Sequence, residues 1–176
     1  LDQPLHLPEE KMSTLRVEPF AVPGDPPLYM RSQGAEASVF EESDIAIGLT
    51  FTDSSSGRTA VYAPAVANLS EQLLPRLRDC EVALLDGTFW RNDELTSQGV
   101  GRHTALDMGH LPLSGPAGTL AQLRNTGEFR KVLVHINNSN PILLEGSPER
   151  RAVQEAGFEV GYDGMIMPDH VPRIDG

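Results

Sequence analysis

A layered α/β fold, with one sheet covered by helices, follows from how apolar runs and helix signals alternate along this chain. The runs Val82–Leu85 and Val132–Val134 lack the in-and-out alternation of a strand that faces water, which suits strands covered by helices on at least one face. Helix-type segments follow each of them, and a strand-then-helix rhythm favours stacked layers. With 176 residues, 39% of them hydrophobic, the chain has material for one domain with a real core.

The elements follow in order. Met12 to Val22 reads as an extended arm that runs into Val-Pro-Gly-Asp-Pro-Pro (22–27), a stretch that can continue neither a helix nor a central strand. Residues 28–43 read as a loop, so 1–43 is arm and loop. Residues 44–52 alternate larger and smaller side chains, 53–57 form a polar turn, and 58–62 return, which predicts a hairpin. Ser70 offers a capping hydroxyl to a helix over 71–77, whose leucines share a face and whose Pro75 makes it short or kinked. A buried strand over 81–86, a helix over 119–124, a strand over 131–135, a helix over 148–156 and a last strand over 158–162 complete the sheet and helices of 44–166. A tail, 167–176, closes the single domain.

Several function classes are excluded. A net charge of −11 with no cluster of Lys or Arg lacks the field that holds phosphates, so nucleic acid is not a partner. No apolar stretch is long enough to span a bilayer, and Leu1 opens neither a signal peptide nor a natural start, so the chain reads as a mature or truncated cytoplasmic piece. The single cysteine, Cys80, has no intramolecular partner and reads as a part-buried structural thiol. Dinucleotide, Walker, Cys-x-x-Cys and Gly-x-Ser-x-Gly motifs are all missing. His6 and His170, in proline-flanked termini, read as inert surface residues.

Three short blocks carry the chemistry: Asp-Gly-Thr-Phe-Trp (86–90), Met-Gly-His-Leu-Pro-Leu (108–113) and Val-His-Ile-Asn-Asn-Ser-Asn-Pro (134–141). Asp86 ends an apolar run just before a glycine, so its carboxylate sits at a sheet rim; it is either a turn aspartate bonded to nearby amides or an acid that holds a cation. His135 ends the next apolar run, as a core histidine or as a ligand oriented by the polar residues after it. His110 lies in a glycine-bracketed loop, where ligand, acid/base and plain surface roles stay open. Arg102, in the same loop, is the natural clamp for a substrate carboxylate, with a solvated arginine as the alternative. Asn137, Asn138 and Asn140 cannot titrate and therefore bind substrate or scaffold the loop.

With Tyr-Ala-Pro (62–64), Gly-Val-Gly-Arg (99–102), Asn-Pro-Ile-Leu (140–143) and Tyr-Asp-Gly-Met (162–165), these blocks resemble the pyrroloquinoline quinone (PQQ) synthesis B family of metallo-β-lactamase-fold proteins. The likeness runs from about Asp44 to Met165. It implies the C-terminal half of an αββα sandwich, without the family's N-terminal metal loop, so the chain alone is expected to be inactive, depleted of metal and self-associating through an exposed sheet. It also implies that Asp86 and His135 are metal ligands at neighbouring strand ends, with Fe(II) favoured and Zn(II) as the second choice. The implied reaction is hydroxylation of the tyrosine in a small or dipeptide PQQ precursor in the bacterial cytoplasm, with His110 as acid or base. A zinc-dependent hydrolase, or a carrier that transports PQQ or its precursor without turnover, stands beside it.

Overall fold

The computed structural model describes residues 14–23 and 46–166. The expectations for residues 24–43, for His6 and His170 and for the tail fall outside the described residues. A six-stranded sheet runs β1 (Leu15–Val22), β2 (Ala46–Asp53), β3 (Thr59–Ala63), β4 (Val82–Asp86), β5 (Arg130–Val134), β6 (Phe158–Val160), in sequence order from edge to edge. The first three strands are antiparallel, and β3 through β6 are parallel. The expected arm is therefore an edge strand: β1 pairs with β2 along its whole length, because Val17, Phe20 and Val22 have apolar surface to bury. Asp53 closes the β2–β3 turn by accepting bonds from the Ser55 amide and from the Ser55 and Ser56 hydroxyls.

Helices join the parallel strands. In α1 (Leu73–Asp79), Pro75 falls in the first turn, where the missing N–H has no intrahelical acceptor anyway, so the helix starts cleanly. The Ser70 hydroxyl accepts the Leu73 amide at 3.2 Å, and Leu73 and Leu77, one turn apart, are fully buried. A one-turn helix, α2 (Glu94–Ser97), follows β4; α3 (Thr119–Leu123) precedes β5. In α4 (Pro148–Glu155), Ser147 caps the N-terminus by accepting the Arg150 amide at 2.9 Å, with proline at the first helical position. Among the described residues no helix is long and apolar enough to cross a membrane.

Register separates the two faces of the sheet. Ala63, Leu85, Leu133 and Val160 line up across β3 to β6 and join Leu73, Leu77, Leu123 and Val153 in one hydrophobic cluster. The Phe20 ring lies over Gly48, where any side chain would run into it. The alternate row, Leu49, Tyr62, Leu84 and Val132, points the other way, and that cluster takes in none of it. Both faces are apolar, and α1, α3 and α4 pack on one.

Candidate metal centre

Because β4 and β5 run parallel with Asp86 opposite Val134, the two chains leave the sheet at the same rim, and His135 follows one residue later. Gly87 makes that exit tight: its amide donates to the Val134 carbonyl at 2.9 Å, and a Cβ there would sit 3.0 Å from both that oxygen and Leu133 Cβ. His135 has φ 55°, the only positive φ outside glycine among the described residues. This left-handed conformation costs a side-chain-bearing residue about 1–2 kcal/mol. It persists because the loop is held from several sides: the Asn137 amide donates to the Thr88 carbonyl, while buried Asn140 donates to Gly87 and Thr88 carbonyls and accepts from the Ile142 amide.

Asp86 is 3% exposed and fully engaged. One oxygen accepts the Val66 amide at 2.9 Å and His110 Nδ1 at 2.7 Å; the other accepts the Thr88 amide at 3.0 Å and the Thr88 hydroxyl at 2.6 Å. All four lone-pair positions are in use. A cation bound directly to this carboxylate must displace one donor, and the His110 ring, itself a candidate ligand, is the one free to turn away.

His110 is buried, its ring in a T-shaped contact with Phe89 and stacked on His135 at a centroid distance of 5.3 Å. Gly109, at φ 79°, turns the loop so that the His110 amide reaches back to the Ala105 carbonyl. Asp86, His110 and exposed His135 each offer a ligand atom within 4.8 Å of the others. Bonds of ~2.0–2.2 Å to a tetrahedral ion place ligand atoms about 3.3–3.6 Å apart, so small side-chain rotations suffice to bring the three onto one ion. Two imidazoles and a carboxylate suit Zn(II) or Fe(II) equally well.

The other sequence candidates fall at varied distances from this chemistry. Arg102 and His103 are exposed on the loop that leads to His110, and Asp107 caps its own turn by accepting the Thr104 amide at 2.8 Å. Asn138 is exposed, whereas Asn137 directs its amide nitrogen to Ser139 at 2.5 Å. Cys80 is buried, donates to the Leu77 carbonyl, and is pushed up to about 12 by desolvation, an inert thiol.

Two residues of the site were not singled out in the sequence. Thr88 lies inside the first chemical block, yet nothing in a lone threonine announced that it bonds to Asp86, His110 and His135. Glu94, 2% exposed, accepts the Trp90 amide at 2.6 Å and the Ser139 hydroxyl at 2.5 Å, tying the loop after β4 to the loop after β5. In sequence it belongs to Arg-Asn-Asp-Glu (91–94), which looks like a solvated helix start.

Comparison with known proteins places the chain in a family. A family model described as a β-lactamase superfamily domain matches residues 2–136. Coenzyme PQQ synthesis protein B of Gluconacetobacter diazotrophicus is 44% identical over 167 residues, which cover 94% of this chain and 53% of that protein. The protein of the same name from Klebsiella pneumoniae is 50% identical over 112 residues, 64% of this chain and 36% of its own length. The crystal structure of zinc-bound PqqB from Methylobacterium extorquens matches with a TM-score of 0.78 and 33% identity, over 94% of this chain and 52% of that one. The chain spans about half the length of the curated relatives it matches. By sequence and by fold it belongs to the β-lactamase superfamily, as a homologue of the coenzyme PQQ synthesis B proteins.

Proposed function

We propose that this chain belongs to a metal-dependent protein of coenzyme PQQ biosynthesis in the bacterial cytoplasm, whose reaction is hydroxylation of a tyrosine in a small, peptide-derived precursor. The observation that carries this reading is the convergence of Asp86, His110 and His135 at one sheet rim. The donor set fits a divalent cation, and when bound the metal supplies Lewis acidity and, as iron, the capacity to activate oxygen. Asp86 and His135 hold it from the two strand ends. His110, buried and bonded to Asp86, is read as the third ligand in place of a free acid or base.

The chain's own residues shape how a substrate meets that centre. His135 is exposed, so the cluster opens to solvent on the β5 side. Arg102, exposed on the loop leading to His110, is the cation this loop offers to a precursor carboxylate, and exposed Asn138, on the loop after β5, offers a neutral donor. A second reading is favoured by the zinc in the Methylobacterium relative. In this reading Asp86, His110 and His135 hold Zn(II), and the protein hydrolyses the precursor or carries it, or PQQ itself, without turnover.

The test uses the full-length protein loaded with Fe(II) or Zn(II) and a tyrosine-containing precursor peptide. Oxygen consumption matched by hydroxylated product with iron supports hydroxylation. Cleavage with zinc, or tight binding without turnover under either metal, replaces it with the second reading. Arg102→Ala should raise KM far more than it lowers kcat.

A further inference from the structure

Among the described residues, Thr88 Oγ1 touches every member of the cluster. It lies 2.6 Å from Asp86 Oδ1, 2.8 Å from His135 Nδ1, 2.9 Å from the His135 carbonyl oxygen and 3.1 Å from His110 Nδ1. A threonine hydroxyl owns one proton and two lone pairs. Asp86 and the carbonyl only accept, so the proton goes toward them, and the carboxylate, nearer and charged, takes the larger share. None remains for an imidazole. His135 Nδ1 therefore meets Oγ1 as a donor, which puts the ring proton on Nδ1 and the lone pair on Nε2. His110 reaches the same state by its own route, because Nδ1 at 2.7 Å from Asp86 Oδ2 faces an atom that can only accept.

We propose that Thr88 is a positioning residue whose hydroxyl fixes the tautomer and ring orientation of His135, leaving Nε2 as the atom that ligates a metal. In the metal-free chain one carboxylate thereby orients both imidazoles, His110 directly and His135 through the Thr88 hydroxyl, and a metal bound to Asp86 would replace the His110 contact while the Thr88 contact stays. Metal-binding histidines need their second nitrogen held in this way, and loss of the holding partner costs ~10–100-fold in metal affinity. The hydroxyl also accounts for the backbone of His135, since the same atom bonds the ring and the carbonyl of a residue kept at positive φ. The inference rests on the reading of Asp86, His110 and His135 as a metal centre, but the tautomer is a property of the metal-free chain.

The experiment compares wild type, Thr88→Ser and Thr88→Val. Nitrogen-15 NMR of the histidine side chains, in the metal-free chain with the imidazoles neutral, reads the tautomer; zinc titration of the full-length protein reads the affinity. Wild type and Thr88→Ser should carry the His135 proton on Nδ1 and bind zinc alike. Thr88→Val, nearly the same shape without the hydroxyl, should lose the Nδ1–H preference and bind zinc ~10–100-fold more weakly. A wild-type His135 protonated on Nε2 overturns the proposal, as does a Thr88→Val variant with the wild-type tautomer and affinity. If full-length wild type binds no zinc or iron, the metal reading fails, and the spectra alone decide the role of Thr88.

Discussion

Replacing Asp86 with Asn keeps the shape of the side chain and changes one oxygen into a donor, and the structure dictates what this costs. If the new amide group takes the place of Oδ2, it confronts the Val66 amide; in the place of Oδ1 it confronts the Thr88 amide. Either way one buried backbone N–H loses its acceptor, because the Thr88 hydroxyl and the His110 ring can reorient while a backbone amide cannot. An orphaned buried donor costs about 1–3 kcal/mol, and the remaining bonds lose the strength that a charged acceptor gives them, so about 2–4 kcal/mol in all is expected. For a chain of this size that lowers the unfolding midpoint by roughly 4–16 °C. Thermal unfolding of the metal-free chain by calorimetry and circular dichroism is the assay. A variant as stable as wild type, or more stable, would refute the reasoning: Asp86 would then be a strained functional acid and not the hub of a satisfied network.

Three further outcomes follow from the same structure. Gly87→Ala pushes a Cβ to 3.0 Å from the Val134 carbonyl and from Leu133, so a loss of about 1–3 kcal/mol is expected in denaturant unfolding, with no change if the loop has slack. Arg130 donates to Glu159 at 2.5 and 2.7 Å and holds its carboxyl below the usual range. Because the folded value is the lower one, the stabilisation is present above the unfolded value of ~4.3 and drains as pH falls through the folded one. Wild type should exceed Glu159→Gln by under about 1 kcal/mol near neutrality, for a half-exposed pair, and by nothing once Glu159 is protonated; a gap that widens in acid would contradict this. The apolar row Leu49, Tyr62 and Leu84 should drive self-association, seen as a concentration-dependent mass in sedimentation that Leu84→Lys abolishes. A wild-type monomer at every concentration counts against that surface.

The sheet and helices were legible because apolar runs and caps are local signals. Val82–Leu85 and Val132–Val134 announced strands without help from the rest of the chain, and the helix read over 148–156 starts at Pro148 as expected. The exit of Asp86 from the sheet was legible for the same reason, since a glycine follows an acid at the end of an apolar run. What pairs with what was not. That Met12 to Val22 holds an edge strand depends on β2 lying beside it, and the burial of His110 depends on Phe89 and His135 meeting it across more than 20 residues of sequence. Glu94 shows the limit most clearly: its buried carboxylate accepts from a serine 45 residues away, and no spacing rule connects them.

The central claim is that Asp86, His110 and His135 hold a metal, and elemental analysis of the full-length protein, purified without added metal, tests it most directly. The account predicts iron or zinc near one equivalent in the wild type, and its loss in His135→Ala and His110→Ala while the thermal unfolding of the metal-free proteins stays cooperative. Both variants retaining the full wild-type metal content would contradict it, and the metal would then have to be held by residues other than these.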